Sequence, residues 1–134
     1  MNINIIMNSI SDAHSNKRIK DVENQGFKIN IFGLNRGIVS PERNDISIVG
    51  NFTNTTQYYK RIVTYINGIR KAFKLAGDND DIWYYQGLDT ALFAVIFGKK
   101  RKYIYEECDL VHTYDKNVFI RNILEKIDKY IIKK

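Results

Sequence analysis

One cysteine and one proline stand among 134 residues, and no apolar run is longer than Ala91–Phe97. A lone cysteine forms no internal disulfide, which fits a reducing cytosol, so the sequons Asn51-Phe-Thr53 and Asn54-Thr-Thr56 carry no weight. The longest apolar run is far too short to cross a bilayer. The opening MNINIIMNSI has neither a basic segment nor a small-residue cleavage site, which argues against a secretory signal. Glycine is missing from NSISDAHS, the segment after the first apolar run. The backbone there cannot approach a pyrophosphate as a dinucleotide fingerprint requires, so NAD, FAD and P-loop nucleotides are disfavoured. Gly33 and Gly37, with Arg36 between them, are a weak signal of the same kind. No internal repeat, low-complexity stretch or domain linker is visible.

The composition is that of an ordinary globular chain, 44% hydrophobic and 27% charged, with room for one domain and one core. A net charge of +6 invites a nucleic-acid partner. Ile, Asn, Lys and Tyr are abundant throughout, however, a bias that AT-rich coding produces without any partner. The charge therefore reads first as a solvated basic surface.

Hydrophobic periodicity places strands at 3–8, 27–33, 46–50, 81–87 and 103–106. Helices are expected at 15–24 with Ser15 as the cap, at 55–76, at 88–98 and at 118–134. Gly26 stops the first helix. The second should bury Tyr59, Ile62, Ile66, Ile69 and Phe73 and point Lys60, Lys71 and Lys74 outward, with Arg61 and Arg70 on the flanks. The third is apolar on nearly every face and should pack inside. Alternating strands and helices of these lengths mean parallel pairing, hence an α/β fold: a single Rossmann-like three-layer domain with a parallel sheet of five strands. The last helix has no glycine, asparagine or proline stop, which suggests one domain of a longer protein.

In an open α/β sheet ligands bind beyond the carboxyl ends of the strands. That rule selects the loops holding Asn8, Ser9, Ser11 and Asp12; Gly33 and Asn35; Gln86, Gly87 and Asp89; and Glu107, Cys108, Asp109 and His112. The segment YIYEECDLVHTY (103–114) concentrates reactive types. Zinc would need further cysteine or histidine ligands at motif spacing. A Cys108 nucleophile with His14 or His112 as base lacks an oxyanion-hole signature. A divalent cation on Glu106, Glu107 and Asp109 has no motif behind it. Two readings remain: packing residues with solvated carboxylates, or an Asp109 that faces the cleft to bind substrate hydroxyls or act as a base.

The order of NSISDAHSNKRIKDVENQGFKINIFGLNRG and DIWYYQGLDTALFAVIFGKKRKYIYEECDL resembles the N-terminal domain of bacterial glycosyltransferases of the GT-B fold, in the retaining family-4-like group. The likeness covers essentially all of residues 1–134. It implies an acceptor-side domain whose partner, a C-terminal donor-binding domain, is absent from this chain. It also implies transfer of a sugar from a nucleotide-sugar donor to a saccharide or lipid-linked acceptor in surface (capsular) polysaccharide synthesis, with no cofactor and no metal. The isolated domain is expected to be inactive. By the resemblance Asp109 matches the Asp of the family's His-Asp-Leu and is the catalytic candidate, and Glu106 matches the preceding Glu. Ser9, Ser11, Asp12, Gln86, Gly87, Asp89, Glu106, Glu107 and His112 are the substrate-binding candidates. Cys108 stands where a histidine is common, and His14 where an arginine often follows the loop Asp. The expected location is cytoplasmic, at the inner face of the plasma membrane if the acceptor is lipid-linked. The helix at 55–76 would there meet anionic head groups. Nucleic acid is not an expected partner. The alternatives are a stand-alone Rossmann-like binding module and a basic nucleic-acid-binding domain. A receiver-like regulator is argued against, because MNSIS and IVGNF lack its acidic cluster and phospho-acceptor Asp.

Overall fold

A computed structural model describes residues 2–37, 43–53, 55–77, 80–98, 101–107 and 117–134. The elements run β1 (Asn2–Met7), α1 (Ala13–Asn24), β2 (Lys28–Asn35), β3 (Ile46–Asn51), α2 (Tyr58–Ala76), β4 (Ile82–Gln86), α3 (Leu88–Phe97), β5 (Tyr103–Glu106) and α4 (Val118–Ile132). The strands form one five-stranded sheet in the order β3-β2-β1-β4-β5, with every pair parallel. The expected α/β class, a Rossmann-like three-layer arrangement, is what the chain adopts.

Parallel strands are covered on both faces, so their residues divide between two cores rather than between core and water. Ile3, Ile5 and Met7 of β1 join Ile31, Tyr84 and Ile19 in the smaller core under α1. Ile6, Phe32, Trp83 and Tyr85 join Tyr65, Ile69, Ala91 and Ile131 in the larger core under α2, α3 and α4. Trp83 is fully buried, with Phe73 edge-on at 4.5 Å and Phe32 stacked at 6.0 Å. Asn4 is buried in the central strand and is tolerated because its register partner Asn30 donates Nδ2–H to its Oδ1 at 2.8 Å.

Three local expectations are corrected. The cap of α1 is Asp12, not Ser15: Asp12 Oδ2 accepts from the Ser15 N–H at 3.0 Å and also from its hydroxyl, so the helix begins two residues earlier. Tyr59 faces solvent rather than the core, because the buried stripe of α2 runs through Tyr65, Gly68, Ile69 and Ala72. Helix α3 is not enclosed: Leu88, Ala91 and Ala94 pack inward while Ile96 and Phe97 are exposed. On α4, Ile120 and Ile123 are exposed, and Ile131 carries the fully buried contact. The errors on α2 and α3 treat a helix face as wider than the neighbour that covers it.

Two glycines shape the carboxyl end of the sheet. At Gly33, near the end of β2, a Cβ would overlap the Ile10 methyl and lie 3.2 Å from Ile46 Cγ2. Ile10 thus seats the β1–α1 loop directly on β2, where its N–H also bonds the Leu34 carbonyl at 3.1 Å. Gly87 turns from β4 into α3 at φ +85°, a left-handed conformation that glycine adopts without strain.

Candidate functional site

The strand order reverses between β1 and β4: the chain winds outward to β2 and β3 on one side and to β5 on the other. At such a seam the loops leaving the two central strands part and open a crevice at their carboxyl ends. Here β1 ends at Met7 and β4 at Gln86, held in register by pairs such as Ile6 with Tyr85. A cleft of about 590 Å³ lies at this point.

Five of the substrate-binding candidates line it together: Ser9, Asp12, Gln86, Gly87 and Asp89. They come from segments about eighty positions apart, brought together by the β1–β4 pairing. Ser11 hydrogen-bonds Ser9 across their hydroxyls at 3.0 Å and is not among the described lining residues. Glu106 and Glu107 do not line the cleft either. Glu106 instead ties elements together, accepting from Arg18 on α1, from Tyr84 and from His14 Nε2 at 3.4 Å. Asp109, His112 and Cys108 lie outside the described residues.

Five further residues line the cleft: Asn8, which the strand-end rule selects but the resemblance does not, and His14, Ser15, Arg36 and Leu88. Arg36 leaves the end of β2, stacks over the Phe52 ring at 5.4 Å and donates to Tyr65 Oη at 2.8 Å. Tyr65 in turn donates to Asn8 Oδ1. Arg61, held by the Thr56 carbonyl at 2.8 Å, lies 6.0 Å over the same Phe52 ring. Arg36 could have been found from its place after a strand end, between Gly33 and Gly37. Tyr65 could have been found from its helical spacing with Ile62 and Ile69.

The electrostatics follow from this packing. Burial pushes the Tyr65 phenol up to about 12, with the Arg36 guanidinium opposing the shift. Asp89 reaches the cleft rim, where it is exposed to solvent. The surrounding protein nevertheless raises its carboxyl above the usual range by desolvation, and Arg36 again opposes. Asp12 is committed to capping α1. Gln86 is 1% exposed, and neither of its amide atoms has a hydrogen-bond partner among the described residues. The site therefore offers amides, a carboxylate and one guanidinium, a set suited to a polar ligand rich in hydroxyls.

Among the described residues no three His, Cys, Asp or Glu side chains are grouped to hold a metal ion. The triplet considered from the sequence includes Asp109, outside them. A larger cavity of about 860 Å³ lies on the flank, walled by Tyr85, Tyr103, Tyr105, Tyr130 and Ile131. Gly98 and Lys134, at the carboxyl ends of α3 and α4, border it. It thus lies beside helix C-termini rather than the helix N-termini that favour anionic ligands. No helix among the described residues is long and apolar enough to cross a membrane. No family model, curated protein or solved structure matches this chain.

Proposed function

We propose that the chain is the acceptor-side domain of a glycosyltransferase. It holds a saccharide acceptor in the switch-point cleft while a second, donor-binding domain brings the nucleotide sugar. The observation that carries this reading is the convergence of Ser9, Asp12, Gln86, Gly87 and Asp89 on one polar cleft where the strand order reverses. Amide side chains both donate and accept, and carboxylates accept, which makes them the usual partners of sugar hydroxyls. Asp109 is the catalytic residue of the proposal, and it rests on the motif resemblance alone.

Contact with an anionic membrane surface is the second part of the proposal. Tyr58, Tyr59 and Val63 are exposed at the start of α2, next to Lys60, an amphipathic aromatic and basic patch of the kind that settles at head groups. Several other α2 cations are engaged within the fold: Arg61 over Phe52, Arg70 over Phe97 at 4.9 Å, and Lys71 with the Ile48 carbonyl at 3.4 Å. The membrane contribution therefore centres on the aromatic end of the helix.

The test is calorimetric and NMR titration of the chain with lipid-free oligosaccharides, alongside co-sedimentation with anionic vesicles. Saturable saccharide binding that perturbs the cleft supports the proposal. Sugar transfer catalysed by these residues alone would refute the division of labour. If charge removal at Lys60, Arg61, Arg70, Lys71 and Lys74 left vesicle binding unchanged, the membrane part would fail.

A further inference from the structure

The hydrogen bonds at the cleft run in a fixed direction. A guanidinium has donors only. Arg36 Nη2 therefore occupies a lone pair of Tyr65 Oη at 2.8 Å and leaves the phenolic proton for Asn8 Oδ1. With its oxygen engaged, Asn8 turns its Nδ2 to the lip at Gly87, where a Cβ would lie 3.4 Å from that nitrogen. Asn8 is thus a donor of set polarity, and Arg36 and Tyr65 are the residues that position it. Gln86 stands in the wall of the same cleft, buried, with both Oε1 and Nε2 unbonded among the described residues. A buried amide left this way bears the desolvation of two groups, which a matched partner relieves.

We infer that the cleft reads a vicinal diol, with Gln86 pairing to adjacent hydroxyls and Asn8 donating to a neighbouring oxygen. A carboxylate or a phosphodiester accepts only, so it would satisfy Nε2 and leave Oε1 stranded. An ammonium does the reverse. Two adjacent hydroxyls do both at once, one accepting from Nε2 while the other donates to Oε1. Asp89, on the first turn of α3, supplies an acceptor at the same lip. The inference deepens the saccharide reading and rests on it for the source of the diol, because a nucleoside ribose carries the same chemistry.

The experiment uses the ¹⁵N-labelled chain and follows the side-chain amide signals of Gln86 and Asn8. The probes are methyl glycosides of manno, gluco and galacto configuration and their 2-deoxy forms, uridine and 2′-deoxyuridine, and inorganic phosphate. The expected result is a shift of both amide signals with a methyl glycoside, and about tenfold weaker binding of its 2-deoxy form. Tyr65→Phe should fold, weaken the glycoside and set the Asn8 amide into rotational averaging. Gln86→Glu, which keeps the size but loses the donors, should weaken it as well. Glycoside binding that leaves Gln86 unmoved, or that ignores the deoxy change, overturns the diol inference and spares the saccharide reading. Diol-dependent binding of uridine alone keeps the inference and removes the saccharide reading. A Gln86 response to phosphate alone overturns the inference, and silence to every probe overturns both.

Discussion

Glu106, at the end of β5, accepts two hydrogen bonds from Arg18 on α1, at 3.1 and 2.8 Å, across 88 positions of chain. The Tyr84 hydroxyl bonds its other oxygen. The edge strand of one half of the sheet is thereby fastened to the helix of the other. Burial pushes this carboxyl up, but the hydrogen bonds from Tyr84 and Arg18 outweigh it and hold the group below the usual range. A depressed carboxyl stabilises the fold above its unfolded pKa of about 4.3, and that contribution disappears as the pH falls through the folded value. Glu106→Gln should therefore lower the neutral-pH melting temperature by roughly 3–5 °C, about 1 kcal/mol. The gap to the parent chain should narrow as the solution is acidified. A gap independent of pH would remove the ionic part of the argument.

Trp83 is the only tryptophan, so fluorescence reports on the larger core alone. It is fully buried, and the Arg101 guanidinium lies 5.3 Å from the ring. Trp83→Ala should cost about 3–5 kcal/mol, a large part of what a domain of this size possesses. Trp83→Phe should cost only about 1–2 kcal/mol. The indole N–H has no hydrogen-bond partner among the described residues, so the exchange loses packing and strands no polar group. Urea unfolding followed by circular dichroism separates the two variants. Equal losses would mean that the indole nitrogen matters after all.

Tyr65 titrates late, at about 12, because it is buried. A phenol whose folded pKa is raised stabilises the fold below its unfolded value of about 10, and the contribution is lost as the pH climbs toward the folded value. Tyr65→Phe should accordingly flatten the alkaline fall in melting temperature between about pH 10 and 12. Parallel curves for the two proteins across that range would show that Tyr65 is not the group responsible.

Much of this was legible from residue order. Strands of β-branched and aromatic residues, separated by helical spacing, gave the alternation, and parallel pairing followed from connection length. The rule that ligands sit at strand ends then placed Ser9, Asp12, Gln86, Gly87 and Asp89 together at the cleft. What escaped was set by three-dimensional proximity. Glu106 was a substrate-binding candidate by the resemblance, but Arg18 and Tyr84, distant in sequence or on a neighbouring strand, draw it into a structural tie. Arg36 and Tyr65 matter because a side chain from the end of β2 meets one from the middle of α2. Helical spacing likewise shows which residues share a face but not how much of it a neighbour covers, hence Tyr59 and Ile96 outside.

The reversal between β1 and β4 has a consequence for how the molecule opens and closes. The cleft lies on the seam between β3-β2-β1 and β4-β5, joined by a pairing between remote segments whose loop-closure entropy must be met before any contact rewards it. The floor of the cleft is therefore complete only when the two halves have met, and it is lost when they part. A ligand spanning Asn8 and Gln86 would act as a rivet across that seam, suppressing sub-global opening well beyond the residues it touches.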